Sequence, residues 1–90
     1  MSQIQNIEYL IAHARFEEAL AALDALVDEC PDDAVLLFMR GKLHWRMGHR
    51  SQATSDFSAA SAIDPASPAA RALEHARDVE SFFNPDLYNP

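Results

Sequence analysis

The sequence predicts an all-α protein, a stack of antiparallel helix hairpins with about five helices. Three observations carry that expectation. The stretch from Pro31 to Pro65, PDDAVLLFMRGKLHWRMGHRSQATSDFSAASAIDP, holds two helical patterns joined at Gly48 and closed at each end by proline. The composition is rich in alanine, with 2 glycines and no β-branched runs, which favours helix nearly throughout. The segment before Pro31 reads as a degraded copy of the same unit.

The elements follow in chain order. From about Ser2 to His13, Ile4, Ile7, Leu10 and Ile11 recur at three- and four-residue steps, the mark of an amphipathic helix. A break at Ala14–Arg15 leads to a second helix, Phe16 to Glu29, with Ala19, Leu20, Leu23, Leu26 and Val27 on one face. Glu17 and Glu18 lie in its first turn, where the helix dipole favours acids. Pro31 stops it and biases Cys30 away from helix. Asp32 or Asp33 can cap a third helix, Ala34 to about Met47, whose apolar positions are Leu36, Leu37, Phe38, Leu43, Trp45 and Met47. Gly48 ends it, because glycine reaches the left-handed conformation without steric cost. Ser51 can cap a fourth helix, or the helix begins at Arg50; Ala53, Phe57, Ala60 and Ile63 form its stripe and Pro65 closes it. Ser67-Pro68 is a strong start signal for a fifth helix running to Phe82 or Phe83. Its apolar positions are Ala69, Ala72, Leu73, Ala76, Val79 and Phe83, and the tail NPDLYNP, with two Asn-Pro steps, cannot continue as regular helix.

The bulk properties bound the function. Ninety residues make one domain, with 49% hydrophobic and 23% charged residues, a globular composition. A net charge of −7 argues against nucleic acid, whose phosphates need a basic surface, and against anionic membranes. Cys30 is alone and cannot form an internal disulfide. The first residues lack the basic start and apolar core of a signal peptide, and no apolar run reaches the length of a membrane span, so a cytoplasmic protein is expected.

Shifted by 34 residues, the second helix aligns with the fourth: Ala19 falls on Ala53, Leu20 on Thr54, Leu23 on Phe57, Leu26 on Ala60 and Pro31 on Pro65. In the preceding helices Ile4 falls on Phe38, Leu10 on His44 and Ile11 on Trp45. With Leu37, Gly41, Gly48, Ala53, Phe57, Ala60 and the Asp64-Pro65 ending, the chain resembles the tetratricopeptide repeat family. Phe16-Glu17-Glu18-Ala19-Leu20, Leu23, Leu26 and Pro31 carry the likeness in the earlier copy. Gly41 and Ala53 are small where two helices of one repeat cross, Phe57 fills the gap beneath them, and Ala60 admits the next repeat. The resemblance implies a right-handed superhelical stack: repeat 1 at about 1–33, repeat 2 at about 34–67, a capping helix at about 68–83, and a tail at 84–90. The chain departs from the family pattern at Arg40, usually a buried leucine, at His44 and Arg50, usually aromatic, and at Ile7 and Ala14, which stand where the first copy would carry glycines.

In that family the first helices of successive repeats line a concave groove that receives peptides. The resemblance therefore implies a groove faced here by Ile4, Glu8 and Ile11 from the first repeat and by Phe38, Lys42, Trp45 and Arg46 from the second. Phe38, Lys42 and Trp45 stand at steps of four and three on one helical face. Four of the seven Lys and Arg residues, Arg40, Lys42, Arg46 and Arg50, fall in this helix and its turn, and aromatic rings beside cations suit an acidic or C-terminal peptide segment. A structural reading stands beside the functional one: Glu8 neighbours and pairs with Lys42, Glu80 pairs with Arg46, and Phe82, Phe83, Leu87 or Tyr88 covers Trp45. The family subclass that clamps chaperone C-terminal carboxylates uses Lys and Asn at groove positions that hold Ile4 and Glu8 here, so the likeness does not extend to that specificity.

Chemistry of other kinds finds no support. His13, His44, His49 and His75 lack the i, i+4 spacing of a helical metal site, and Cys30 has no cysteine partner. No cofactor motif is present, and Arg40 reads as a side chain reaching from the core edge to an acid. The expected function is non-catalytic: an adaptor or regulatory module that binds a peptide segment of another protein. The alternative is structural, a homodimer through either end of the stack or through the groove, or a subunit of a larger complex, with Ile4, Ile7 or Ile11 leaving apolar surface open on a first helix with no preceding cap.

Overall fold

The computed structural model describes the backbone of residues 2–83 and the side chains of residues 2–78. Five helices follow one another: α1 (Gln3–Ala12), α2 (Phe16–Glu29), α3 (Ala34–Arg46), α4 (Arg50–Ile63) and α5 (Ala69–Phe83). Each packs on the next in sequence, and the short connections make neighbours antiparallel. The result is an all-α stack of hairpins. No helix of the described residues is long and apolar enough to cross a membrane.

The helix ends show why these segments start and stop where they do, and they repeat. α1 opens with a capping box, in which the Gln5 N–H donates to Ser2 Oγ (3.1 Å) and the Ser2 N–H to Gln5 Oε1 (3.2 Å). At the first hairpin turn the Arg15 N–H returns to the Leu10 carbonyl (2.8 Å); at the second the His49 N–H returns to the His44 carbonyl (2.8 Å). Each of these turns holds one residue in the left-handed region, Ala14 (φ 58°) and Gly48 (φ 83°). α2 and α4 end alike, with Cys30 donating to the Leu26 carbonyl and Asp64 to the Ala60 carbonyl, both at 2.9 Å. Asp33 Oδ1 then caps α3 through the Val35 and Leu36 N–H groups, and Ser67 Oγ accepts from Ala69 at the start of α5. The 34-residue shift of the sequence is thus a shift of backbone geometry too. Ser51 does not cap α4. The helix begins at the alternative start, Arg50, with His49 at the cap position and no side-chain bond there, and Ser51 lies in the first turn, its carbonyl accepting from the Thr54 hydroxyl.

One apolar cluster runs through the stack. It joins Ile7 and Leu10 of α1, Ala19, Leu23 and Val27 of α2, Leu36, Leu37 and Leu43 of α3, Ala53, Phe57 and Ala60 of α4, and Ala69 of α5. Each large side chain buried in this way contributes about 1.5–3 kcal/mol. The stripe expected on α4 stops short: Ile63, in the last turn, is 43% exposed. Ile7 is buried against the core and leaves no open apolar surface, whereas Ile4 is 39% exposed. The expected apolar positions Val79 and Phe83, the partner Glu80, and the covering residues Phe82, Leu87 and Tyr88 lie outside the described side chains, as does the tail at 84–90.

The tightest crossing is between α3 and α4. A Cβ placed on Gly41 would stand 2.6 Å from the Phe57 ring and 3.3 Å from the Ala53 carbonyl oxygen, while Ala53 and Ala60 are completely buried. A Cβ on Gly48 would meet nothing, so that glycine serves its positive φ alone. Two different costs follow. Gly41→Ala forces the buried Phe57 ring aside and lowers the unfolding free energy by about 1–3 kcal/mol. Gly48→Ala loses about 1 kcal/mol, and the reciprocal change Ala14→Gly gains about 0.5–1 kcal/mol. Urea unfolding of the three variants checks the order; an Ala14→Gly variant no more stable than wild type would contradict the strain assigned to that turn.

Candidate functional site

The residues expected to face a groove divide between two cavities. The first, about 580 Å³, opens between α1 and α3 and is lined by Ile4, Glu8, Ile11, Phe38, Lys42 and Arg46, with Ala12, Val35, Met39 and Leu43. Six of the seven expected residues meet there. Trp45 does not. It lines a second cavity of about 330 Å³ between α3 and α5, together with Phe57, Ala72 and His75. Position along the helix separates Trp45 from Phe38: the two share nearly one face of α3 but stand about two turns apart, and at the later turn the Trp45 ring neighbours His75 of α5. Lys42 and Arg46 line both cavities and form the ridge between them.

The charges on this face are arranged differently from the expected pairs. Glu8 and Lys42 share the first cavity but form no ion pair. Lys42 Nζ instead lies 4.7 Å from the centroid of the Phe38 ring, and the Arg46 guanidinium 5.2 Å from that of Phe16. Arg50 covers Trp45 (5.5 Å), whose other ring neighbour is His75 (6.2 Å). The expected Arg46–Glu80 pair falls on a side chain outside those described.

Arg40 turns away from the face altogether. Its Nε and Nη2 donate to the two oxygens of Asp56, each at 2.8 Å, and its Nη1 donates to Asp24 Oδ1 at 3.1 Å. One guanidinium therefore ties α2, α3 and α4 together in the fork geometry that carboxylates match best. The Asp56 side chain is 8% exposed and that of Arg40 22%. The hydrogen bond to Asp56 raises the Arg40 pKa further, so the guanidinium stays charged. His44 sits beside the pair. Its Nε2 is 3.9 Å from Asp56 Oδ2, and its Nδ1 is 3.2 Å from Nδ1 of His49. Two ring nitrogens at that distance share a single proton. Burial pushes the His44 pKa below the usual imidazole range, outweighing the pull of Asp56, and His49 and Arg40 push it the same way. Asp24, Asp56 and His49 escaped sequence reasoning. The available signal was Asp56 itself, an acid between Ala53 and Phe57 on a buried stripe, opposite an arginine at a position expected to be apolar.

No family model matches the chain, and no curated protein does. One solved structure is similar along nearly its whole length. It is the solution NMR structure of Bacteroides fragilis protein BF1650, with a TM-score of 0.83 and 29% sequence identity over 99% of this chain and 91% of that one. A five-helix stack with this path is therefore a fold seen in a second protein.

The buried network makes two measurable claims. Asp56→Ala leaves Arg40 with its Asp24 bond alone and lowers stability by about 1–3 kcal/mol, whereas Arg40→Met combined with Asp56→Leu recovers most of that loss, because an apolar pair carries no desolvation penalty. A double variant as unstable as the single one would show that the pair contributes more than its own satisfaction. The second claim concerns pH. The unfolded chain protonates His44 near its ordinary pKa of 6.5, whereas the folded state resists. The stabilisation is thus complete above pH 6.5 and is lost as pH falls toward the folded pKa, with a slope of up to about 1.4 kcal/mol per pH unit. His44→Phe should flatten the stability curve between pH 7 and 5; an unchanged slope would exclude His44 as its source.

Proposed function

We propose that this chain is a non-catalytic protein–protein interaction module of the tetratricopeptide repeat type, an adaptor or regulatory protein of the cytoplasm that binds a peptide segment of a partner on the face shared by α1, α3 and α5. One observation carries the reading. The 580 Å³ cavity has an apolar floor of Ile11, Phe38, Met39 and Leu43, and its wall holds two cations with no carboxylate partner among the described residues. Apolar grooves with a few placed polar groups are where peptides anchor. The shared turn geometry of the two hairpins supports the repeat assignment, and the match along nearly the whole of a second protein supports the stack as an independent unit.

A structural role has an observation of its own. Val35 is 62% and Ile4 39% exposed at the mouth of the same cavity, and a homo-oligomer or a larger complex would bury them. Affinity capture from the native cell with wild type and a Lys42→Glu/Arg46→Glu variant tests the docking face. The variant should lose the partners that wild type recovers, and identical recoveries would remove the face as the determinant. Sedimentation over a wide concentration range tests self-association, which a strictly monomeric species would end.

A further inference from the structure

One ridge serves both cavities. Lys42 and Arg46, one helical turn apart on α3 and both exposed, line the α1–α3 cavity on one side and the α3–α5 cavity on the other. Apolar floors flank the ridge, Ile11 and Met39 on the first side and Trp45 and Phe57 on the second. Each cation rests against a ring, Phe38 or Phe16, which fixes it without a carboxylate and leaves N–H donors for an incoming acceptor. The order across the face is therefore apolar, cationic, apolar.

From that order we infer that the partner segment carries an acidic residue with an apolar residue two positions away on either side, and that it crosses α3 in extended form. The inference rests on the docking face proposed above and specifies what that face reads. Alternate residues of an extended chain point the same way, so positions i, i+2 and i+4 present apolar, acidic and apolar side chains to one surface. They span about 13 Å, enough to straddle a helix about 10 Å across and place one apolar side chain in each cavity. The carboxylate then sits on the ridge and accepts charge-assisted hydrogen bonds from Lys42 and Arg46. The complementarity is local: the chain as a whole is acidic, with a net charge of −7, so this ridge is where an acid is accepted on a surface that otherwise repels it.

The probe is a short peptide with blocked ends, Ser-Leu-Thr-Glu-Thr-Phe-Ser, titrated into the full-length protein and followed by NMR. The peptide should shift the Ile11 and Met39 methyl groups and the Trp45 indole together. Glutamine in place of its glutamate should weaken binding about tenfold, as should Lys42→Gln in the protein. Serine in place of either apolar residue should abolish the shifts at one cavity and keep those at the other. Equal binding of the glutamine peptide, shifts confined to one cavity, or no binding at all would overturn the inference. If the cellular capture still depended on Lys42 and Arg46, those results would leave the docking face standing and remove only this ligand pattern. Two peptide-free results also count against it. Resonances of both cavities that move with protein concentration identify a second copy as the occupant, and resonances that move on Asp86→Asn alone identify the chain's own tail.

Discussion

The stack depends on the closeness of α3 and α4. Phe57 lies where a side chain on residue 41 would have to be, so the ring and the glycine backbone touch directly. The residues immediately before them, Arg40 and Asp56, close the same interface with a two-pronged ion pair. Packing and charge therefore constrain one crossing point from adjacent positions. The apolar contact sets how near the helices come. The ion pair sets their register, because a fork of two N–H groups meets a carboxylate in few orientations. Asp24 extends that register to α2, so the second hairpin is also fixed against the first.

This explains the residues that depart from the pattern of the resemblance. A guanidinium at position 40 needs a buried acid, and Asp56 supplies it from α4. His44 lies at the edge of that acid, its Nε2 3.9 Å from Asp56 Oδ2. These residues form one set. An arginine, an aspartate and a histidine share this seam without leaving a buried side-chain polar atom unsatisfied among the described residues.

Much of the fold was legible because it is written locally. Proline at 31 and 65, glycine at 48 and the spacing of Leu23, Phe57 and their neighbours each act within a turn or two of chain, and the helix bounds fall within a residue or two of expectation. What escaped was long-range or rotational. The partners of Arg40 lie 16 residues away in both directions, on helices whose relative rotation no periodicity records. Trp45 shares a heptad-like spacing with Lys42 and Phe38, yet it stands about two turns beyond Phe38 along α3, where its ring meets α5 and lines the neighbouring cavity. Lys42 prefers an aromatic face in its own helix to an acid on the next one. At α4 the expected serine cap gave way because the preceding turn had already fixed the entry of the chain through the His49 N–H.

The two hairpins are unequal in a way that bears on how the molecule breathes. The second has a glycine in its turn, the close α3–α4 crossing and the ion pair; the first has an alanine held at positive φ and no charged tie between α1 and α2 among the described residues. Local opening is cheapest where the fewest interactions resist it, so α1 is less protected than α3 and α4. The cavity between α1 and α3 thus has one stiff wall and one compliant wall. A groove built in this way can widen for a bulky side chain and close on a small one at little cost, tolerating variation on the α1 side while the ridge on α3 keeps its place.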